Sequence, residues 1–147
     1  MSTRASYRFR ETYKSGLRDK ITTKNICLVY KQSDGYPNGF PLILAKWLST
    51  AVKSLSYNPP KGALEFNTTG CLVAQMIAKF KKGPMEIYVE PVTSRGNCDE
   101  AYLYDIIVDR DTKEIKFIGY ENDYPRIKRI FKGSPAGYAT KYFKNTK

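Results

Sequence analysis

The alternation of apolar and polar positions divides the chain into a small set of elements. From Thr3 to Tyr13, the residues Tyr7, Phe9 and Glu11 fall on one side and Arg8, Arg10 and Thr12 on the other. That period of two describes a strand with one wet face. Lys14-Ser15-Gly16 signals a turn, and the polar residues 17–24 read as a loop. Asn25–Lys31 is a continuous apolar run of strand length, as a central strand requires. Gln32–Gly39 carries two Gly, one Pro, an Asp and an Asn, which makes it a loop. Pro41 suits a first helical turn. Ile43, Leu44, Trp47, Leu48, Ala51, Val52 and Leu55 then recur at helical spacing, predicting an amphipathic helix anchored by Trp47 and ended by Pro59, Pro60 and Gly62.

A second helix is predicted over Gly70–Lys82. Thr68 or Thr69 caps it, Leu72, Val73, Met76, Ile77 and Phe80 form its buried stripe, and Gly83-Pro84 stops it. Lys79, Lys81 and Lys82 complement the negative end of its dipole. Strands follow at Met85–Val92, Ala101–Val108 and Glu114–Tyr120, the last two joined as a hairpin by Asp109–Lys113. The order β-β-α-α-β-β-β predicts an α+β fold, a mostly antiparallel five-stranded sheet with two helices on one face. Residues 1–125 form the single expected domain. Residues 126–147 read as a basic C-terminal extension, with a short helix near Pro125–Phe131 and an irregular tail.

Charge sharpens this picture. The 147 residues carry 25 Lys+Arg against 14 Asp+Glu, a net of +11. Residues 1–31 hold a net of +6 and residues 126–147 a net of +7, whereas 32–125 hold −2. If the two ends meet at the surface, as chain ends often do, they build one positive face. Arg126, Lys128, Arg129, Lys132, Lys141 and Lys144 are interleaved with Phe131, Tyr138, Tyr142 and Phe143. Cations with aromatics suit a nucleic acid, through backbone neutralisation and base stacking. An acidic protein partner would use the same face, and a solvated lysine-rich tail that only keeps the chain in solution is the plainer alternative.

There is no histidine, which excludes Ser-His-Asp and Cys-His catalysis and His-ligated metals. The three cysteines, Cys27, Cys71 and Cys98, form no CxxC and no disulfide framework. Cys27 and Cys71 read as buried small residues, and Cys98 lies beside Asp99 and Glu100, which disfavour a thiolate. Asp105, Asp109, Asp111 and Glu114 gather near one hairpin but miss the calcium-loop spacing, so turn solvation is the better reading. A magnesium nuclease built on Glu86, Glu90 and Asp105 is the enzymatic alternative. The balance leans away from an enzyme, and no cofactor or metal is expected. No apolar run reaches the ~20 residues of a membrane span and the start lacks a secretory h-region, so a cytoplasmic protein is expected.

The loop Tyr30-Lys31-Gln32-Ser33-Asp34-Gly35-Tyr36-Pro37-Asn38-Gly39 is the most distinctive segment. Together with Ser2-Thr3-Arg4-Ala5, Gly70-Cys71-Leu72 and Tyr102-Leu103-Tyr104, it resembles a family of small uncharacterised phage and prophage proteins with a Tyr-(Lys/Arg)-x-x-Asp-Gly-Tyr-Pro-x-Gly loop. The resemblance covers most of residues 1–108. Ser33 departs from it, standing where an aromatic is frequent, as does the insertion-like stretch Tyr13–Lys24. It implies a viral origin and expression in a host cytoplasm, and no established activity.

Physically, the loop predicts a rigid corner: Asp34 accepting from its own turn, Gly35 at positive φ, Pro37 stiffening the exit and Tyr36 over the helix start. The functional alternative gathers Arg4, Lys31 and Asp34 beside a helix N-terminus, where an anion could bind. The resulting expectation is a non-enzymatic phage-type accessory protein that binds a host or defence component through its basic face. Nucleic-acid binding is the alternative, and self-association is left open.

Overall fold

A computed structural model describes residues 3–52, 61–91, 100–123 and 125–143. Leu55, Pro59, Pro60, Val92, Cys98 and Lys144, each named above, lie outside them. The elements are β1 (Ala5–Ser15), β2 (Lys20–Lys31), α1 (Phe40–Leu48), α2 (Thr69–Phe80), β3 (Ile87–Glu90), β4 (Tyr102–Asp109), β5 (Ile115–Asp123), β6 (Arg126–Gly133) and α3 (Pro135–Phe143). The fold is α+β, as expected. Among the described residues, however, the sheet has six strands in the order β3-β2-β1-β4-β5-β6. It is mixed, because β1 runs parallel to β4 while the other pairs are antiparallel.

Among the described residues the helices number three. α2 packs on β1 and β2, α3 packs on β5 and β6, and α1 lies beside α3. Alternation along β1 and β4 turns Tyr7, Phe9, Tyr104, Ile106 and Val108 toward them, all buried. Thr68 caps α2 by accepting from the Cys71 amide at 3.0 Å. Cys27 and Cys71 are half-buried rather than buried. Burial raises the Cys27 thiol pKa.

Several boundaries differ from expectation. Residues 17–24 are a tight turn and the first half of β2, not a loop. The backbone reverses through Gly16 (φ 76°) and Asp19 (φ 49°), and Ser15 then pairs with Lys20. Most of this part of the hairpin is exposed, so it lacks the one-sided apolar pattern that marks a strand. α1 stops at Leu48, short of Leu55. The Ser49 and Thr50 hydroxyls donate back to the Lys46 and Trp47 carbonyls at 2.6 and 2.7 Å, and Ala51 bridges to Leu64.

The largest correction concerns the C-terminal segment. Arg126–Gly133 is a strand, not a short helix, and Pro135–Phe143 is a helix, not an irregular tail. A register shift between Gly119 and Tyr120 leaves Ile130 outside the pairing, so Ile127, Ile130 and Phe131 fall at helix-like spacing. The Ser134 hydroxyl accepts from the Gly137 amide at 3.0 Å and starts α3. Tyr138 is fully buried: it packs 4.6 Å from Phe117, edge-on to Tyr104 and Phe131, and against Tyr142. This segment therefore belongs to the core.

Tyr138→Ala should cost about 3–5 kcal/mol in urea unfolding, the range for a buried aromatic. Truncation after Pro125 should abolish cooperative unfolding. A truncated chain that melts like the full one would return the segment to the status of an appendage.

Candidate functional site

Two places collect the residues singled out by sequence: the loop between β2 and α1, and the basic edge formed by β6 and α3. The loop is tied to three elements. The Gly35 amide donates to the Thr3 carbonyl at 2.9 Å, and the Phe40 amide to the Asp34 carbonyl at 2.7 Å. The Tyr104 hydroxyl donates to the Gly35 carbonyl at 2.9 Å, and the Tyr138 hydroxyl to the Pro37 carbonyl at 2.8 Å. Burial pushes both phenols well above the usual tyrosine range. They stay protonated, and so remain donors, at any physiological pH. Tyr7 stacks on Tyr104 at 5.2 Å, and its buried hydroxyl has no hydrogen-bond partner among the described residues.

The positive φ predicted for Gly35 falls on Asp34, at 58°. Asp is among the few non-glycine residues that take this conformation readily. Gly35 is required for a different reason: a Cβ there would lie 2.6 Å from the Ala5 Cβ. The Tyr36 ring lies against Gly39, over the start of α1 as expected.

Lys31 and Asp34 serve the loop itself. Lys31 is buried and donates to the Ser33 carbonyl at 3.1 Å, with its ammonium 5.1 Å from the Phe40 ring centre. Asp34 is exposed, and its own turn uses its main-chain carbonyl rather than its side chain. Arg4 lends its carbonyl to the Ala101 amide at 3.0 Å, and its main chain passes against Gly35. Pro37 supplies the carbonyl held by Tyr138. The corner is thus a packed joint.

The basic edge is different. Arg126, Lys128, Arg129 and Lys132 are all exposed on β6, which lies at one edge of the sheet. Among the described residues, none of the four has a carboxylate within 4 Å. Lys141 is partly engaged, donating to the Ile130 carbonyl at 2.9 Å and lying over Phe131 and Tyr142. The aromatics expected to interleave with these cations are mostly spent elsewhere. Tyr138 and Tyr142 are in the core and Phe131 packs against it. Phe143 is exposed, with the Lys46 ammonium 4.7 Å from its ring centre.

Among the described residues, most cations of the two chain ends lie apart. Ala5, Tyr102, Glu121 and Lys128 lie in one row across the sheet. Lys14 lies nine residues farther along β1, about 30 Å away along the strand direction at ~3.3 Å per residue. Lys14, Arg18, Lys20 and Lys24 therefore occupy the opposite end from Arg126, Lys128 and Arg129. Of the remaining N-terminal cations, Lys31 is buried and Arg8 forms a two-bond ion pair with Asp105, each bond 2.8 Å.

The carboxylates expected of a nuclease are separated. Glu90 and Asp105 share a row, but three strand spacings intervene, about 14 Å. Among the described residues no three His, Cys, Asp or Glu side chains are placed to share a metal ion. Asp109 accepts from the Asp111 and Thr112 amides at 2.9 Å each and closes the β4–β5 turn. Those bonds, led by Thr112, hold its carboxyl below the usual range.

The burial of the Glu11 carboxylate escaped sequence reading. Glu11 lies on the helix face of β1, where it accepts from the Thr69 hydroxyl at 2.8 Å and pairs with Arg110, which also stacks on Tyr13 at 4.0 Å. A lone acid on the apolar side of an alternating strand was the available signal. Burial pulls its pKa up, but the bonds from Arg110 and Thr69 outweigh that and leave it lowered. Neither family models nor curated proteins nor solved structures show a match to this chain.

Gly35→Ala should destabilise the fold by about 1–3 kcal/mol, as overpacking does. The Glu11 pair should contribute fully above the ordinary carboxyl value of 4.5 and be lost as pH falls through its lowered folded value. The stability gap between wild type and Glu11→Gln should accordingly be larger at pH 7 than at pH 3, as measured by urea melts.

Proposed function

We propose that the chain is a non-enzymatic, phage-type accessory protein that docks an acidic protein of the host cell or its defences through the β6–α3 edge. The observation that carries this reading is the set of four exposed cations, Arg126, Lys128, Arg129 and Lys132, on one edge strand, none of them within 4 Å of a carboxylate among the described residues although Glu121 and Asp123 stand opposite Lys128 and Arg126. Solvated surface cations of one sign raise encounter rates with an acidic partner and reject basic ones. Lysines on an edge strand also discourage pairing with a second copy, since like charges would face each other. Docking through this edge is thus selective for acidic surfaces. The host cytoplasm is the compartment this reading requires. Among the described residues, no helix is long and apolar enough to cross a membrane.

Nucleic acid is the second reading for the same cations. The +11 net charge favours it. The burial of Tyr138 and Tyr142 leaves charge rather than base stacking to carry it.

Affinity capture from nuclease-treated host lysate tests the choice. Wild type should enrich one defined protein, and Lys128→Glu with Arg129→Glu should lose it. Capture that disappears with nuclease treatment, or that survives the double reversal, would overturn the reading.

A further inference from the structure

The β1–β2 hairpin projects beyond the sheet. β1 pairs with β4 only as far as Thr12, and β2 pairs with β3 only over Leu28–Lys31. Among the described residues, the two strands past that point pair only with each other: Tyr13 opposite Thr22, Lys14 opposite Ile21, Ser15 opposite Lys20. The Ser15 and Thr22 hydroxyls bond across the ribbon at 2.8 Å. Its root is braced by Arg110, which stacks on Tyr13 and pairs with Glu11. At the tip Leu17 is fully exposed, at 108%, and Ile21 is 68% exposed. Lys14, Arg18 and Lys20 lie on the projecting part and Lys24 behind them opposite Glu11, with Asp19 in the turn and Asp109 near Lys14 as the neighbouring acids.

A braced two-stranded projection with cations along its sides and an aliphatic tip has few uses. We propose that this ribbon is a nucleic-acid arm whose tip enters the major groove of duplex DNA. This does not rest on the β6 edge, which lies at the other end of the sheet. Three paired positions project about 10 Å at ~3.3 Å per residue, and the turn adds more. The major groove is about 12 Å wide and 8.5 Å deep and admits a two-stranded ribbon. Leu17 then reaches the groove floor, where apolar contact falls on thymine methyl groups. Lys14, Arg18, Lys20 and Lys24 meet the phosphates on either side. The deep, narrow major groove of duplex RNA does not admit such an arm. A bilayer fits less well, because one or two aliphatic side chains bury little area in a membrane.

The test is fluorescence anisotropy of the full chain with a labelled DNA duplex between 50 and 200 mM salt. Binding should fall with a log–log slope of about −3.6, four phosphates at about −0.9 each. Lys20→Gln with Lys24→Gln should lower the slope magnitude by about 1.8 and weaken binding at least tenfold at 50 mM salt. Leu17→Ser should weaken binding several-fold with the slope unchanged. Lys128→Gln with Arg129→Gln should leave duplex binding as it is, which separates this surface from the β6 edge. With wild type alone, methyl green, a major-groove ligand, should compete, and a minor-groove ligand should not.

Absence of binding at 50 mM salt would overturn the proposal. So would equal affinity for single strands or duplex RNA, or loss that follows the β6 substitutions. Binding to anionic phospholipid vesicles that depends on Leu17, with none to DNA, would overturn it as well.

Discussion

Two phenols donating into one loop hold this fold in register. Tyr104 comes from the middle of the sheet and Tyr138 from the last helix, yet both end on carbonyls of the segment that leads into α1. A hydrogen bond of this kind contributes on the order of 1 kcal/mol net, but the buried carbonyls would cost more if left unsatisfied. The rings themselves add far more by excluding water and packing edge-to-face. The C-terminal helix is thereby coupled to a loop about a hundred positions earlier. The tyrosine-rich composition serves this internal task first.

That priority explains which parts of the chain could be read in advance. β1, the apolar half of β2, α2, β4 and β5 each bury one face, and their periodicities are visible in the residues alone. β6 was hidden because the displaced Ile130 shifts Phe131 to helix-like spacing. The outer half of the first hairpin was hidden because the polar residues Thr22, Thr23, Lys24 and Asn25 bury no face. The corner was recognised as rigid, but for the wrong atoms: Asp34 takes the left-handed backbone, and Gly35 is there for want of a Cβ. Glu11 looked like one more alternating position, since neither Thr69 nor Arg110 is near it in sequence.

Charge along the chain was read correctly and its arrangement in space was not. Net charge is a sum over residues and needs no coordinates. Convergence depends on strand direction and on which strands are neighbours. Here the first cations split between a buried lysine, an arginine bound to Asp105 and a projecting hairpin, while the last ones line the far edge. Two separate positive surfaces result, each with its own shape. A strand edge offers main-chain groups beside its lysines, whereas a ribbon offers a narrow profile. Such surfaces suit different ligands.

The central place of β1 has a kinetic side. Its second neighbour, β4, begins at Tyr102, whereas β1 itself ends at Ser15. During synthesis at ~5–20 residues per second, β1 therefore waits roughly 5–20 s with one flank bare before its parallel mate leaves the ribosome. Parallel pairing across so long a separation closes slowly even then. Nascent chains of this protein are thus exposed to edge-to-edge capture by one another on crowded polysomes. The charged side chains Arg8 and Arg10 on that waiting strand repel such encounters until Asp105 arrives to neutralise Arg8.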